Sequence, residues 1–141
     1  FNRIGHSQWK PDMIWFDDSD VYLTPNYYVQ KLFANHRGTY TIPLQKQDVK
    51  LRKEGIYVSA AVDAQGEIIL KLVNTNHREY ALMLEDADGL AVRTTGQMWT
   101  LRGTGEMPED RPEVSAVTEE TAEIDGCVFI PAQSLVVIRY Q

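Results

Sequence analysis

Two short apolar runs joined by a tight polar connection constrain the fold of this chain more than any other stretch. In both runs, every second residue is aliphatic, which is the period of a half-buried β-strand. These positions are Ile56, Val58, Ala60 and Val62 in the first run and Ile68, Leu70 and Leu72 in the second. The connection, residues 63–66, ends in a glycine that can adopt a positive φ. The pattern predicts an antiparallel hairpin over residues 55–74, whose aliphatic face needs a second sheet to cover it.

Short strands separated by turn signals continue to the C-terminus. We predict strands at residues 80–84, 128–130 and 134–140, and one or two more within residues 90–102. In the last of these, Leu135 and Val137 face away from Val136, Ile138 and Tyr140. Residues 103–112 are predicted to form a loop, and residues 114–124 carry only a weak pattern. Strands at this spacing predict an all-β sandwich.

The N-terminal part of the chain has a different character. Residues 13–16 are four consecutive large apolar residues, which is typical of a strand buried on both faces. After an acidic loop, Thr24 and Pro25 form a helix start, and Gly38 is placed to end that helix. This order of strand, loop and helix predicts the last unit of an α/β architecture. We expect the unit to be separate from the core to which the hairpin belongs. Residues 39–54 are predicted to form a linker that contains one short strand.

Composition limits the classes of partner. The chain has 141 residues, of which 43% are hydrophobic, so it can bury one real core. Its 14 basic and 20 acidic residues give a net charge of −6, which disfavours nucleic acid or an anionic membrane as a partner. Cys127 is the only cysteine, so no internal disulfide forms. Cysteine usage therefore gives no information on the redox compartment of the protein. Because the chain starts at Phe1 without a signal-peptide pattern, we expect it to be a fragment of a longer protein.

Candidate metal ligands are few. The three histidines His6, His36 and His77 have no ligand spacing to one another or to Cys127, so we interpret them as solvated or helix-terminal. The carboxylates of Asp17, Asp18 and Asp20 could hold a hard cation. They lack the glycine and downstream glutamate of a calcium loop, which favours a plain acidic turn.

Aromatic and acidic clusters give two further candidates. A sugar-stacking platform could be formed by Trp9, Trp15, Tyr22, Tyr27 and Tyr28. Their helix or strand spacing favours the alternative, that they belong to a core. The acidic cluster Glu119, Glu120, Glu123 and Asp125 is interpreted as a solvated surface. We find no nucleophile motif, phosphate loop or Cys/His pair, and we expect no catalytic residue, cofactor or metal ligand in this chain.

Residues 9–17, WKPDMIWFD, and residues 21–33, VYLTPNYYVQKLF, carry a family resemblance. They resemble the end of the catalytic domain of α-L-arabinofuranosidases of glycoside hydrolase family 51, where they are the last strand and the last helix of a (β/α)8 barrel. Residues 57–60, 69–74 and 131–140 resemble the C-terminal β-sandwich of that family. The resemblance implies a mainly β chain, in which a jelly-roll-like antiparallel sandwich at residues 55–141 follows a barrel remnant at residues 1–38 and a linker at residues 39–54.

The resemblance also implies a role. The family hydrolyses terminal arabinofuranosyl groups with retention, using two glutamates whose carboxyls lie about 5 Å apart. Those glutamates lie on barrel strands that would precede Phe1, so no acidic residue here inherits either role. The implied partners are the missing barrel of the same protein and further copies of the chain, and the implied function is to stabilise the barrel and its assembly.

The alternative is a carbohydrate-binding sandwich that holds arabinan or arabinoxylan. It would need two or three exposed coplanar aromatic rings on one sheet face. The candidates from residue 57 onward are Tyr57, Tyr80, Trp99, Phe129 and Tyr140, most of which sit in alternating core patterns.

Two features depart from the family pattern. Leu23 stands where the family usually has glycine, and residues 106–109 follow the usual asparagine–proline loop only loosely, although Leu101 to Gly103 keep its leucine–glycine turn.

Without a barrel, residues 9–38 would expose a large apolar area. We expect this segment to fold back onto the sandwich or to pair with another copy, and strand edges favour pairing.

Overall fold

A computed structural model of the chain describes residues 2–3, 13–44, 47–105 and 114–141. Its elements are β1 (Asn2–Arg3), β2 (Ile14–Phe16), β3 (Val21–Leu23), α1 (Pro25–Asn35), β4 (Tyr40–Ile42), α2 (Gln47–Lys53), β5 (Ile56–Val62), β6 (Ile68–Asn74), β7 (Tyr80–Met83), β8 (Arg93–Gly103), β9 (Ser115–Asp125), β10 (Cys127–Ile130) and β11 (Ser134–Tyr140). The architecture is mainly β, as predicted. An antiparallel six-stranded sheet has the order β4-β5-β6-β11-β8-β9, and β7 pairs with β10 in a second layer. A small sheet of order β1-β2-β3 precedes them.

The predicted hairpin is confirmed as β5 and β6. Its register runs from Ile56 opposite Asn74 to Val62 opposite Ile68. In the turn, Oδ1 of Asp63 accepts hydrogen bonds from the backbone N–H groups of Gln65 and Glu67 at 2.9 and 3.0 Å. Gly66 has φ = 85°, a conformation that a residue with a side chain rarely adopts.

The aliphatic face of the hairpin meets the second layer, as expected. The buried residues of this interlayer core are Ile56, Ala60, Leu70, Leu72, Leu82, Ile124, Val128, Ile130, Val136 and Ile138. They come from β5, β6, β9 and β11 on one side and from β7 and β10 on the other. The two-stranded sheet therefore closes the sandwich over the hairpin.

Strand β11 lies in the middle of the large sheet. It pairs with β6 on one edge and with β8 on the other. Val136 and Ile138 point into the interlayer core, whereas Leu135 and Val137 point to the opposite face, as the alternation predicted. Every residue from Ser134 to Ile138 is buried, so this strand belongs to two apolar layers at once.

A buried amide connects the two layers at one end of the sandwich. Nδ2 of Asn74 donates to the carbonyl oxygens of Ile130 and Pro131 at 3.0 and 3.1 Å and to that of Arg78 at 2.9 Å. Its Oδ1 accepts from the backbone N–H of Asn76 at 2.9 Å. Because its polar atoms are hydrogen-bonded, the cost of burying this side chain is offset.

Three elements differ from the sequence prediction. The linker contains helix α2, which has few apolar residues but is supported by the ion pair of Asp48 with Arg52 at 2.8 Å. The weakly patterned residues 115–125 form a long strand, β9, whose exposed position explains its polarity. Leu101 to Gly103 end β8 rather than form a turn, and residues 106–109 lie outside the described part of the chain.

The N-terminal unit is a hairpin followed by a helix. Residues 14–16 are half-buried rather than buried on both faces, and β3, which we did not predict, pairs antiparallel with β2. Helix α1 begins at Pro25 as predicted, and Oγ1 of Thr24 accepts from the backbone N–H of Tyr27 at 3.4 Å. Gly38 does not end the helix, because His36 is the cap residue. Gly38 instead permits a close approach, since a Cβ there would lie 2.4 Å from Cβ of Ala61.

We predict that Leu70→Ala lowers the free energy of unfolding by about 2–5 kcal/mol, the usual loss for a buried leucine. Leu70 lies in the interlayer core. Urea denaturation followed by circular dichroism measures the effect. The exposed Ser59 of the same hairpin supplies the control, since Ser59→Ala should change stability by less than about 0.5 kcal/mol. A loss below about 1 kcal/mol for Leu70→Ala would contradict the assignment of this face to the core.

Candidate functional site

Helix α1 packs on the face of the large sheet that points away from the interlayer core. Leu32 is buried there among Ile69, Leu101, Leu135 and Val137. The half-buried residues around this second cluster are Tyr28, Val29, Val73, Trp99 and Val117. The helix and the hairpin are thus in different apolar clusters, as expected, but β6 contributes a face to each.

Two cations also project from this face. Lys71 lies between Ile69 and Val73 on β6, and its Nζ is 4.2 Å from the centre of the Phe33 ring. An ammonium over an aromatic face is attracted by the ring quadrupole. Burial lowers the pKa of Lys71. The contact fixes the outer side of α1 over strand β6.

The second cation, Arg139 of β11, is held by the hairpin turn. Its Nη2 donates to Oδ2 of Asp63 at 2.6 Å and also to the carboxylate of Glu67. Since Asp63 organises the turn with its other oxygen, one carboxylate links the turn to the central strand. These two carboxylates lie close together, but both are occupied by the same guanidinium, so they form a structural clamp rather than an acid/base pair.

His36 lies at the end of α1, directly on the sheet. Only 7% of its surface is exposed, and its ring centre is 4.2 Å from that of Trp99. Nδ1 is buried and has no hydrogen-bond partner among the described residues. The pKa of His36 is lowered, chiefly by burial and then by the positive charges of Arg139 and Lys71, while Glu119 acts in the opposite direction.

A groove of about 690 Å³ lies between α1 and the ends of β6, β8 and β11. Its apolar lining comes from Pro25, Val29, Phe33, Val73, Leu101 and Leu135. Polar groups reach it from His77, Arg102 and Gln133. None of the described residues that line it is acidic, so they cannot supply the carboxylate pair of a retaining glycosidase.

The candidate metal ligands do not come together. His6 lies outside the described residues, His77 is exposed, and His36 is helix-terminal as expected but buried rather than solvated. Oδ1 of Asp17 accepts the backbone N–H groups of Ser19 and Asp20 at 2.8 Å, which is the arrangement of a plain acidic turn. Across residues 2–3, 13–44, 47–105 and 114–141, no group of three potential ligands could hold a metal ion.

The N-terminal aromatic residues do not form a flat platform. Trp9 lies outside the described residues, and the other four are half-buried. The rings of Tyr27 and Tyr28 are nearly perpendicular, with an interplanar angle of 84°. These residues therefore belong to packing, which was the favoured alternative. The acidic cluster on β9 is exposed, as predicted.

The segment that was expected to expose a large apolar area is largely covered. Of the apolar residues of β2 and α1, Leu32 is buried, and most of the others are half-buried. Met13 and Phe33 are exposed by 41% each, and Ala34 and, on β3, Val21 are also exposed. The structure thus has the fold-back arrangement, because α1 rests on the sheet, whereas pairing with another copy stays a prediction.

Sequence reasoning missed the cluster of His36, Lys71 and Arg139. A signal was present, because the alternation of β6 and β11 places each cation on a face otherwise occupied by aliphatic residues. Charged residues on such a face indicate that something else covers it. The histidine carried no comparable signal, since its burial depends on the angle at which α1 crosses the sheet.

The family model for the α-L-arabinofuranosidase C-terminal domain matches residues 1–133. The chain belongs to this family. Alpha-L-arabinofuranosidase 1 of Arabidopsis thaliana is 29% identical over 143 residues, which cover 95% of this chain and 21% of that protein. An extracellular exo-α-L-arabinofuranosidase of Streptomyces chartreusis is 44% identical over 36 residues, which cover 26% of this chain and 4% of that protein. The chain therefore spans about a fifth of the length of the Arabidopsis relative.

Solved structures of arabinofuranosidases share the fold of this C-terminal domain. An arabinose-bound α-L-arabinofuranosidase of family GH51 aligns with a TM-score of 0.73 at 21% identity, covering 94% of this chain and 21% of that one. The thermostable GH51 enzyme of Thermotoga petrophila RKU-1 aligns with a TM-score of 0.63 at 17% identity. The alignment covers 91% of this chain and 31% of that one. At these identities, the similarity concerns the fold. The predicted sandwich of the GH51 C-terminal domain is thus confirmed, whereas the assignment of residues 1–38 to a barrel stays a prediction.

In the described parts of the chain, neither helix has the length and apolar character needed to cross a membrane.

We predict that Leu32→Ala lowers the free energy of unfolding by about 2–5 kcal/mol, because Leu32 is the buried anchor of α1 on the sheet. Gln30 lies on the exposed side of the same helix, so Gln30→Ala should change stability by less than about 0.5 kcal/mol. Urea unfolding measures both values. Equal effects of the two substitutions would show that the helix does not contribute to the folded domain.

Proposed function

We propose that this chain is a non-catalytic domain of a retaining α-L-arabinofuranosidase acting on terminal arabinofuranosyl groups of arabinan or arabinoxylan. Its role is to stabilise the catalytic barrel and the assembly of the enzyme. The observation that supports this most is the position of the N-terminal unit. Helix α1 is anchored in the sheet face through Leu32, while Met13, Val21 and Phe33 of the same unit are exposed.

An anchored unit that keeps apolar residues exposed suits a joint between two domains. Val21 is 65% exposed on β3, and Met13 and Phe33 are each 41% exposed. Covering apolar surface contributes about 25 cal/mol per Å², so a neighbouring domain that covers these residues would stabilise both parts. In this proposal, residues 1–38 are the last strand and helix of the barrel, and the remaining barrel is the partner that covers them.

The chemistry of the chain supports a non-catalytic role. Retaining glycosidases need two carboxyl groups about 5 Å apart in a cleft, one of which donates and accepts a proton. Among the described residues, Asp63 and Glu67 are two carboxylates that lie near each other, and Arg139 binds both. Neither residue lines the groove beside α1. This pair and this groove therefore do not provide the nucleophile and the proton donor, which in our proposal come from the upstream barrel.

The carbohydrate-binding alternative receives less support. Of its five candidate aromatic residues, only Tyr57 and Phe129 are exposed, by 48% and 60%. Tyr57 points to the face that carries α1, because it lies opposite Val73. Phe129 lies on the outer side of the second layer, since its neighbours Val128 and Ile130 point into the core. The two rings are on opposite sides of the sandwich and cannot form one platform.

We predict that this polypeptide alone does not hydrolyse an aryl α-L-arabinofuranoside, because in our proposal both catalytic glutamates lie on the upstream barrel. A chromogenic assay with the purified chain measures this, and a full-length arabinofuranosidase is the positive control. Turnover that persists through purification and scales with the concentration of the chain would contradict the proposal. Retention on insoluble arabinoxylan that Tyr57→Ala or Phe129→Ala abolishes would instead favour the carbohydrate-binding alternative.

A second prediction concerns the stabilising role. A version of the parent protein that contains the upstream catalytic region and ends at Gln141 should unfold at a higher temperature than one that ends at Gly38. The longer version should also lose stability when Leu32→Ala is introduced, because that change weakens the joint. Scanning calorimetry measures the unfolding temperatures, and sedimentation of both versions tests the proposed homo-oligomer. Identical unfolding temperatures would contradict the stabilising role.

A further inference from the structure

We propose that His36 is a proton-sensitive clasp, whose protonation in mild acid loosens helix α1 from the sheet. This inference concerns the joint within the chain and does not depend on the catalytic role of the parent protein. It begins with the position of the ring. His36 is the cap residue of α1, its backbone N–H donates to the carbonyl oxygen of Leu32 at 3.1 Å, and its side chain rests on Trp99. The state of this ring is therefore coupled to the last turn of the helix.

The neutral ring suits this environment. Nδ1 is buried without a hydrogen-bond partner among the described residues. In the neutral ring, this nitrogen can be the one without a proton, so the ring carries no charge at the buried position. Protonation would turn it into a buried N–H donor with no acceptor there, which is costly. It would also place a charge where only 7% of the residue is exposed.

The surrounding charges act mostly in the same direction. Lys71 of β6 and Arg139 of β11 both disfavour a second positive charge at this position, whereas Glu119 of β9 favours it. Glu119 is exposed, so solvent screens its effect. Trp99 of β8 contributes an uncharged ring. Together with burial, the two cations keep the pKa of His36 below its ordinary value.

The direction of the pH effect follows from this lowered pKa. When α1 leaves the sheet, His36 regains contact with water and its ordinary pKa of about 6.5. Above that pH, the ring is neutral in both states, and the clasp is at full strength. As the pH falls below the ordinary value, the released state binds a proton more readily than the docked state, so the equilibrium shifts toward release. The shift is complete once the pH has passed the lowered pKa of the docked state.

The test compares three proteins between about pH 7.5 and about pH 5, the range in which histidine titrates. His36→Phe keeps an aromatic ring against Trp99 but cannot be protonated. His77→Gln removes the exposed histidine as a matched control. The fall in unfolding temperature on acidification should be clearly smaller in His36→Phe than in the wild-type chain, and unchanged in His77→Gln. Equal falls in the wild-type chain and His36→Phe would overturn the proposal.

Hydrogen–deuterium exchange locates the effect. At about pH 5, peptides that span α1 should exchange faster in the wild-type chain than in His36→Phe, whereas peptides from β6 and β11 should be alike. Faster exchange spread evenly over the sheet would overturn a local clasp. If His36→Phe does not fold, the wild-type chain still tests the proposal, because NMR follows the titration of the His36 ring. His36 should titrate below the ordinary histidine value of about 6.5, and a midpoint at or above that value would reject the proposal.

Discussion

The position of β11 between β6 and β8 is the constraint on which the rest of the structure depends. Without it, the hairpin and the β8–β9 pair would be two separate ribbons, because β11 bridges them on both edges. Its residues also alternate between the interlayer core and the face that receives α1. One strand thus connects the sheet laterally and supports an apolar layer on each side. Arg139 binds Asp63 and Glu67, and these ion pairs fix the C-terminal end of β11 to the hairpin turn.

The parts of the fold that rest on local apolar alternation could be predicted from the sequence. The faces of β5, β6 and β11 were assigned correctly, because their aliphatic residues repeat with the period of a strand. The start of α1 was also predicted correctly, since Thr24 and Pro25 define it locally. Family resemblance added the type of sandwich, which the periodicity alone left open.

The remaining elements could not be predicted because their stability comes from tertiary position. Strand β9 contains threonine and glutamate rather than an apolar pattern, and it forms because β8 offers eleven residues of backbone to pair with. Helix α2 is anchored by Leu51, which packs against the interlayer core. The helix has no apolar stripe in its sequence that would predict this contact. The close approach of Gly38 to Ala61 and the burial of His36 result from how α1 crosses the sheet. No local sequence signal predicts how α1 crosses the sheet. The burial of His36 under α1 could therefore be identified only from the structure.

The acidic character of β9 has a consequence for self-association. This strand is the outermost in the large sheet, and eleven consecutive residues of it could template a further strand from another molecule. Exposed side chains of Glu119, Glu120 and Glu123 instead surround this edge with negative charge, so two such edges repel each other. At the opposite border, β4 has only three residues, which offer little backbone for pairing. The same polarity that makes β9 hard to recognise in the sequence therefore protects the domain from edge-to-edge aggregation.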